Sequence, residues 1–239
     1  LLLDFDMAFF ILILKLNLSI FLIFIFFIYK RYKSFINAIE RNKANRLDNV
    51  INEVNFIIER KSDTSILVDL LQKGKLPLRV THNDTKISNI LMDAKTKEGI
   101  CVIDLDTIMP GLSLYDFGDA IRSGATHVSE DEKDLNKVFI DLEFFEAFTK
   151  GFLEGTANSL TEKEIELLPM AVKIITLEQG IRFLTDYLNG DVYYKTNYND
   201  QNLDRTRTQL KLVKDIEEKL NEMKNIVNKC LSNNIVEVW

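Results

Sequence analysis

Cysteine is almost missing from this sequence: 239 residues hold only Cys101 and Cys230. Two thiols so far apart build neither a disulfide framework nor a zinc cluster. Such sparing use of cysteine fits a reducing, cytosolic compartment. Cys101 sits in the apolar run Ile100-Cys101-Val102-Ile103 and reads as a buried structural thiol. A surplus of positive charge is missing as well. Thirty Lys and Arg against 36 Asp and Glu leave a net charge of −6. That argues against a general nucleic-acid binder, which needs a basic face to displace counterions. No internal repeat occurs, and no low-complexity tract beyond residue 34. What remains is an ordinary globular composition, 46% hydrophobic and 28% charged, long enough to bury one sizeable core.

One hydrophobic run departs from that composition. Residues 9–28, FFILILKLNLSIFLIFIFFI, use only Phe, Ile, Leu, Lys, Asn and Ser. Their length matches a membrane-spanning helix interrupted by Lys15 and Asn17. With Lys30, Arg31 and Lys33 behind the run, the positive-inside rule would leave the rest of the chain in the cytoplasm. All six residue types are also written by A/T-rich codons, so a frame error or a truncated gene is a competing reading. A buried helix is a third. No small-residue cleavage site follows, which argues against a signal peptide. The sequence thus divides into an apolar segment, residues 1–33, and a lobe, residues 34–233.

From Ser34 the pattern is soluble and helical, with apolar residues from Phe35 to Ile58 at helical spacing. A short helix over 66–73 stops at Gly74. Strands are expected over 78–81, 87–92 and 100–105, with the turn-rich stretch 93–99 between the last two. Helices are expected over 131–153, from a capping box at 161–164 to 188 with a break near Pro169, and over 203–231. The architecture is α+β: a mostly helical lobe with a small β element embedded in it.

The chemistry-bearing residues surround that β element. His82-Asn83-Asp84-Thr85-Lys86-Ile87-Ser88-Asn89 has the spacing H-x-D-x-x-x-x-N, the catalytic-loop pattern of kinases with Asn in place of Arg at its second position. A loop aspartate at Asp84 can accept the proton of an incoming hydroxyl and hold its oxygen in line with a γ-phosphate. Asn89 and Asp104, which closes the next strand, offer the oxygen donors that magnesium prefers. Asp106 is either a second metal contact or a loop cap. His82 reads as a hydrogen-bonding organiser of the loop. His127, in a polar loop, shows no partner in the sequence.

VTHNDTKISNILMD and CVIDLDTIMPGLSLYDFGDAIRSGA together resemble the aminoglycoside phosphotransferase and choline kinase-like superfamily. The later segments TLEQGIRFLTDYLNGDVYY and NLDRTRTQLKLV are similar to its N-acetylhexosamine 1-kinase group. The resemblance covers residues 65–218. It implies the large C-terminal lobe of a protein-kinase-like fold and phosphoryl transfer from ATP, with Mg2+, to the anomeric hydroxyl of an N-acetylated hexosamine. Asp84 would be the base or substrate-positioning carboxylate, and Asn89 and Asp104 the metal ligands. Arg182 and Tyr193 would touch the sugar. Alternatively, Arg182 forms a salt bridge to Glu178 one turn earlier, and Tyr193 is a core or surface aromatic. Asp116 and Asp119 would support the catalytic loop through hydrogen bonds.

The family pattern also begins with a small lobe that carries a glycine-rich loop and a strand lysine. Before His82 the only glycine is Gly74, and Lys15 has no strand context. The sequence therefore reads as lacking the small lobe, with little activity expected of it alone, since positioning of the phosphates is most of catalysis here. It would also expose the surface that faces that lobe. Two alternatives stay open: a kinase of the superfamily for an aminoglycoside or amino alcohol, and a non-catalytic, membrane-anchored kinase-like binding protein. The partners implied are ATP and a small-molecule sugar, no nucleic acid, and a membrane only if residues 9–28 are genuine.

Overall fold

A computed structural model describes residues 27–157 and 159–236. Most of the apolar run, and with it the membrane-anchor reading, lies outside those residues. Among the described residues no helix is long and apolar enough to cross a membrane. The first described helix, α1 (Phe27–Arg41), runs straight through the boundary drawn at residue 33, and its Tyr32, Phe35 and Ala38 are buried.

The helical stretch expected after Ser34 is broken between α1 and α2 (Ile51–Glu59). Asn42 and Asn45 adopt left-handed backbone, which asparagine tolerates better than most residues. The Asn42 side chain accepts hydrogen bonds from the amides of Arg46 and Leu47, fixing the turn. A third helix, α3 (Ile66–Gln72), leads through left-handed Gly74 to β1 (Arg79–Thr81). Then follow β2 (Ile90–Met92), β3 (Gly99–Val102) and β4 (Met109–Gly111).

These four strands make two separate antiparallel pairs rather than one β element. In one, β1 lies against β4, with Val80 opposite Pro110; in the other, β2 lies against β3, with Leu91 opposite Cys101. The β2–β3 hairpin stands off the helices and leaves Leu91, Met92, Ile100 and Val102 exposed. Cys101 is therefore an exposed thiol, not the buried one expected. The apolar run was misread because nothing among the described residues covers the hairpin. An apolar patch of this kind marks a surface made to be covered.

Helices dominate the remainder: α4 (Ser113–Gly124), α5 (Leu142–Gly155), α6 (Glu162–Glu166), α7 (Leu168–Asn189) and α8 (Gln201–Val236). The helix expected from 131 begins only at Leu142. Asp141 accepts hydrogen bonds from the amides of Glu143 and Phe144, an N-cap that starts the helix there. The break near Pro169 falls at Leu167, which places the proline in the first turn of α7, where its missing N–H costs nothing.

The long helix α7 is the spine, packed against α8, α4 and α1. Its first half joins a cluster with Phe117, Ile121 and Phe145; its second half joins another with Phe35, Val54 and Ile57. Lys173 on α7 reaches Asp63 at 2.7 Å and Glu217 at 2.9 Å, tying the spine to α8. Where α4 crosses α7, Gly118 permits close approach: a β-carbon there would lie 2.8 Å from both the Ala171 carbonyl oxygen and Ile175 Cγ1. Gly118→Ala is expected to destabilise the protein. Overpacking costs about 1–3 kcal/mol, which outweighs the ~1 kcal/mol that alanine gains in helix propensity. Urea unfolding of the two proteins measures the difference.

Candidate active site

Strand β1 delivers the chain to His82, and the loop that follows is held from three sides. The first is α4. The Asp116 carboxylate, in its first turn, accepts hydrogen bonds from the amides of His82 (2.8 Å) and Asn83 (2.7 Å). Thr85 donates to the Asp116 carbonyl at 2.6 Å. The second side is the segment after β3: Thr107 Oγ1 donates to the His82 carbonyl at 2.7 Å, and Asn83 Nδ2 to the Thr107 carbonyl at 3.0 Å. Those bonds hold Asn83 in left-handed backbone with φ 64°. The third side is His82 itself. Its Nδ1 accepts from the Asp84 amide at 3.2 Å, so its Nε2 carries the proton and donates to the Ile103 carbonyl at 3.0 Å. His82 thus stitches the loop to the residue that precedes Asp104.

Three predicted residues converge. Asn89, only 6% exposed, donates through Nδ2 to the Asp84 carbonyl and to Asp84 Oδ2, each at 2.9 Å, and approaches Asp104 Oδ2 at 3.4 Å. The Ile103 amide closes the arrangement on the Asn89 carbonyl. Asp104, two residues past β3, has left-handed backbone, φ 64°, and its carboxylate stands exposed beside Asn89. Asp106 is exposed in the turn beyond and takes no part in the hydrogen bonds joining Asp84, Asn89 and Asp104.

A residue the spacing argument passed over completes the group. Lys86 Nζ lies 2.6 Å from Asp84 Oδ2. Burial pushes the Asp84 carboxyl up, but the hydrogen bonds from Lys86 and Asn89 and the nearby charges outweigh it, leaving the group below its usual range. The Lys86 ammonium is held correspondingly high, first by its hydrogen bond to Asp84.

Behind Asp84 opens a cavity of about 360 Å³. Helix α4 lines it with Tyr115, Asp119 and Arg122, one residue per turn, and α7 with Ile175, Glu178, Gln179 and Arg182. Leu71, Leu78 and Leu112 supply apolar wall. Each carboxylate inside has a cation in reach, with Asp119 and Glu130 sharing one guanidinium. Arg122 pairs with Asp119 at 2.9 Å and with Glu130 at 2.8 Å, and Lys86 pairs with Asp84. Burial pushes the Glu178 carboxyl up, against the pull of the Arg182 and Arg31 charges.

The other predicted residues divide. Arg182 does line this cavity, its Nη1 donating to Gln179 Oε1 at 2.9 Å. Tyr193 does not line it: it is 71% exposed, and Tyr194 occupies the wall instead. Asp119 pairs with Arg122 and lines the cavity, so only Asp116 holds the loop backbone. His127 has a partner after all, Asp141 at 2.6 Å. Polar residues at helical spacing on otherwise apolar faces, 115-119-122 and 178-182, were the legible signal for the cavity.

Asn89 and Asp104 provide one amide and one carboxylate oxygen, hard donors of the sparse kind magnesium uses when phosphates and water complete its shell. Among the described residues no group of three or more His, Cys, Asp or Glu could hold a metal by itself. The donor set fits a magnesium ion whose remaining ligands come from outside the protein.

Fold and loop together describe a mostly helical, kinase-like α+β lobe. Residues 38–147 match the model of a family described as the phosphotransferase enzyme family, APH. The matched residues contain the whole constellation from His82 to Asp119 and support a likeness to the aminoglycoside phosphotransferase and choline kinase-like superfamily.

Proposed function

We propose that this lobe serves ATP-dependent phosphorylation of the anomeric hydroxyl of an N-acetylated hexosamine. The observation that carries the choice of acceptor class is the charge balance of the cavity. Every carboxylate beside Asp84 has a cation in reach, so little uncompensated negative charge is left to bind a polycationic aminoglycoside or a quaternary amine. A neutral polyhydroxylated ring suits such a cavity, and its apolar wall suits a methyl group. The resemblance of residues 176–194 to N-acetylhexosamine 1-kinases points the same way.

In this reading the acceptor hydroxyl hydrogen-bonds Asp84. Its oxygen bonds the γ-phosphorus while the bond from phosphorus to the β-bridging oxygen breaks. ADP leaves with that electron pair, and the acceptor's proton passes to Asp84. Because Lys86 and Asn89 hold Asp84 low, it is a weak base, and its contribution is chiefly to orient the hydroxyl. Asn89 and Asp104 would hold magnesium, whose chemistry is to neutralise charge on the phosphates. Lys86, 2.6 Å from Asp84, would supply a cation to stabilise charge on the transferring group.

The test is direct. Binding of N-acetylglucosamine, N-acetylgalactosamine, choline and an aminoglycoside is compared by calorimetry, and sugar 1-phosphate formation from ATP is followed by phosphorus NMR. The neutral sugars should bind in preference, and preference for a cationic acceptor would overturn the reading. Asp84→Ala should lower whatever turnover is found by roughly 10²–10⁴-fold, with acceptor binding less affected.

A further inference from the structure

We propose that Asp186 is a positioning residue for the acceptor cavity: its buried carboxylate holds the turn after α7 so that Tyr194 closes the wall beside Arg182. The inference rests on the acceptor reading above but concerns a residue outside the Asp84 constellation.

Helix α7 stops at Gly190, whose φ of 95° suits glycine and turns the chain back on itself. Three successive amides of the returning chain then converge on one side chain. Asp186 Oδ1 accepts from the Val192 amide at 3.0 Å and the Tyr193 amide at 2.9 Å; Oδ2 accepts from the Tyr194 amide at 2.9 Å and from Asn202 Nδ2 at 3.0 Å. The carboxylate is 4% exposed and meets four donors. Four donors on one side chain are matched by the two oxygens of a carboxylate, each accepting twice or more.

Its effect is to place an aromatic ring. Asp186 lies one turn beyond Arg182 on α7, and the turn it holds lays Tyr194 back along the same helix. The Tyr194 ring packs on Phe183 with centroids 4.7 Å apart and lies 5.6 Å from the Arg182 guanidinium. Gln179 Nε2 donates to the Tyr194 hydroxyl at 3.4 Å. Tyr194, Gln179 and Arg182 all line the cavity; Asp186 does not. Its carboxylate would therefore act on the acceptor only through Tyr194 and the backbone that carries it.

Asparagine is the discriminating substitution. Asp186→Asn keeps one oxygen for Val192 and Tyr193 but turns an NH2 towards the Tyr194 amide and Asn202. The experiment is a double-mutant cycle on the full chain, read by calorimetric binding of N-acetylglucosamine to wild type, D186N, Y194A and the double variant. Losing a preorganised wall is expected to weaken binding about tenfold in D186N. Y194A should do the same, and the double variant should be no worse than Y194A. Lys173→Met, which breaks the ion pairs to Asp63 and Glu217 away from the cavity, is the control for general loosening; it should lower the melting midpoint while leaving affinity unchanged. Wild-type affinity in D186N, losses that multiply in the double variant, or an equal loss in the control would each overturn the proposal. If the chain binds a cationic acceptor and no N-acetylhexosamine, the acceptor reading falls while the same cycle, run with that acceptor, still decides the role of Asp186. If it binds none of the acceptors, both fall.

Discussion

Glu164→Gln is expected to lower stability by about 3 kcal/mol at neutral pH, because it breaks a buried charge network by removing one partner. Glu164 is 1% exposed. Its Oε1 accepts from Arg79 Nε and Ser113 Oγ, each at 2.7 Å, and its Oε2 from Arg79 Nη2 at 2.7 Å and the Thr161 amide at 2.8 Å. The carboxylate thus joins the start of β1, the start of α4 and the capping box of α6 at one point. Glutamine would turn an NH2 towards one of those donors and leave the Arg79 guanidinium without its counter-charge.

The melting midpoint should fall by about 6–12 °C, at roughly 2–4 °C per kcal/mol for a chain of this size. The pH dependence has a definite sign. Burial pushes the Glu164 carboxyl up, but Arg79 and the other donors pull it down to about 2. A depressed carboxylate stabilises the fold fully above its ordinary value near 4.5 and loses that contribution as pH falls through its folded value. The gap between wild type and E164Q should therefore be widest at pH 7 and close towards pH 2. Urea titrations at pH 7, 4 and 3 measure it, and a gap that is constant with pH would show that Glu164 is not acting as a charge.

The sequence made the catalytic loop legible because its chemistry is local. Eight residues hold both Asp84 and Asn89, and the run to Asp104 is the β2–β3 hairpin, so a local return of the chain brings the three within reach. The capping box at Thr161 and the glycine stop at Gly74 are local in the same sense. The two-pair arrangement of the strands was not legible, since β4 has only three residues, one of them Pro110, and its partner β1 lies almost thirty residues earlier. Burial of Cys101 failed for the opposite reason. Hydrophobicity reports what could be buried, and only the packing decides whether anything covers it. The cavity behind Asp84 mixes both situations: Arg182, named from likeness, lines it, whereas Tyr115, Glu178 and Tyr194 gain meaning only once α4 and α7 cross at Gly118. Lys86 was in plain view two residues past Asp84, but a lysine in a loop carries no signal until its distance to that carboxylate is known.

Asp116→Asn should separate the order of the catalytic loop from the stability of the protein. Each Asp116 oxygen serves one amide, Oδ2 that of His82 and Oδ1 that of Asn83. Asparagine can accept from only one of them, and its NH2 would face the other N–H. The lost bond and the donor left unpaired cost about 1–3 kcal/mol locally. Globally the change should be smaller, because a buried charge disappears with it. Burial raises the Asp116 carboxyl above its ordinary range, the two amides only partly opposing it. A raised carboxylate makes its stability contribution at low pH and loses it as pH rises through the folded value, so ionised Asp116 is held at a cost to the fold. That cost is what keeps two acceptors facing the loop. Hydrogen exchange of the segment 79–90 should accelerate in D116N by about tenfold or more, while the melting midpoint shifts little. A displacement of about 1 Å in the loop costs roughly 10²-fold in transfer, so turnover should fall with the protection. Lowering the pH of the wild type should reproduce the loosened loop as Asp116 takes up its proton. Unchanged protection in D116N would mean that Thr107 and His82 hold the loop without help from α4.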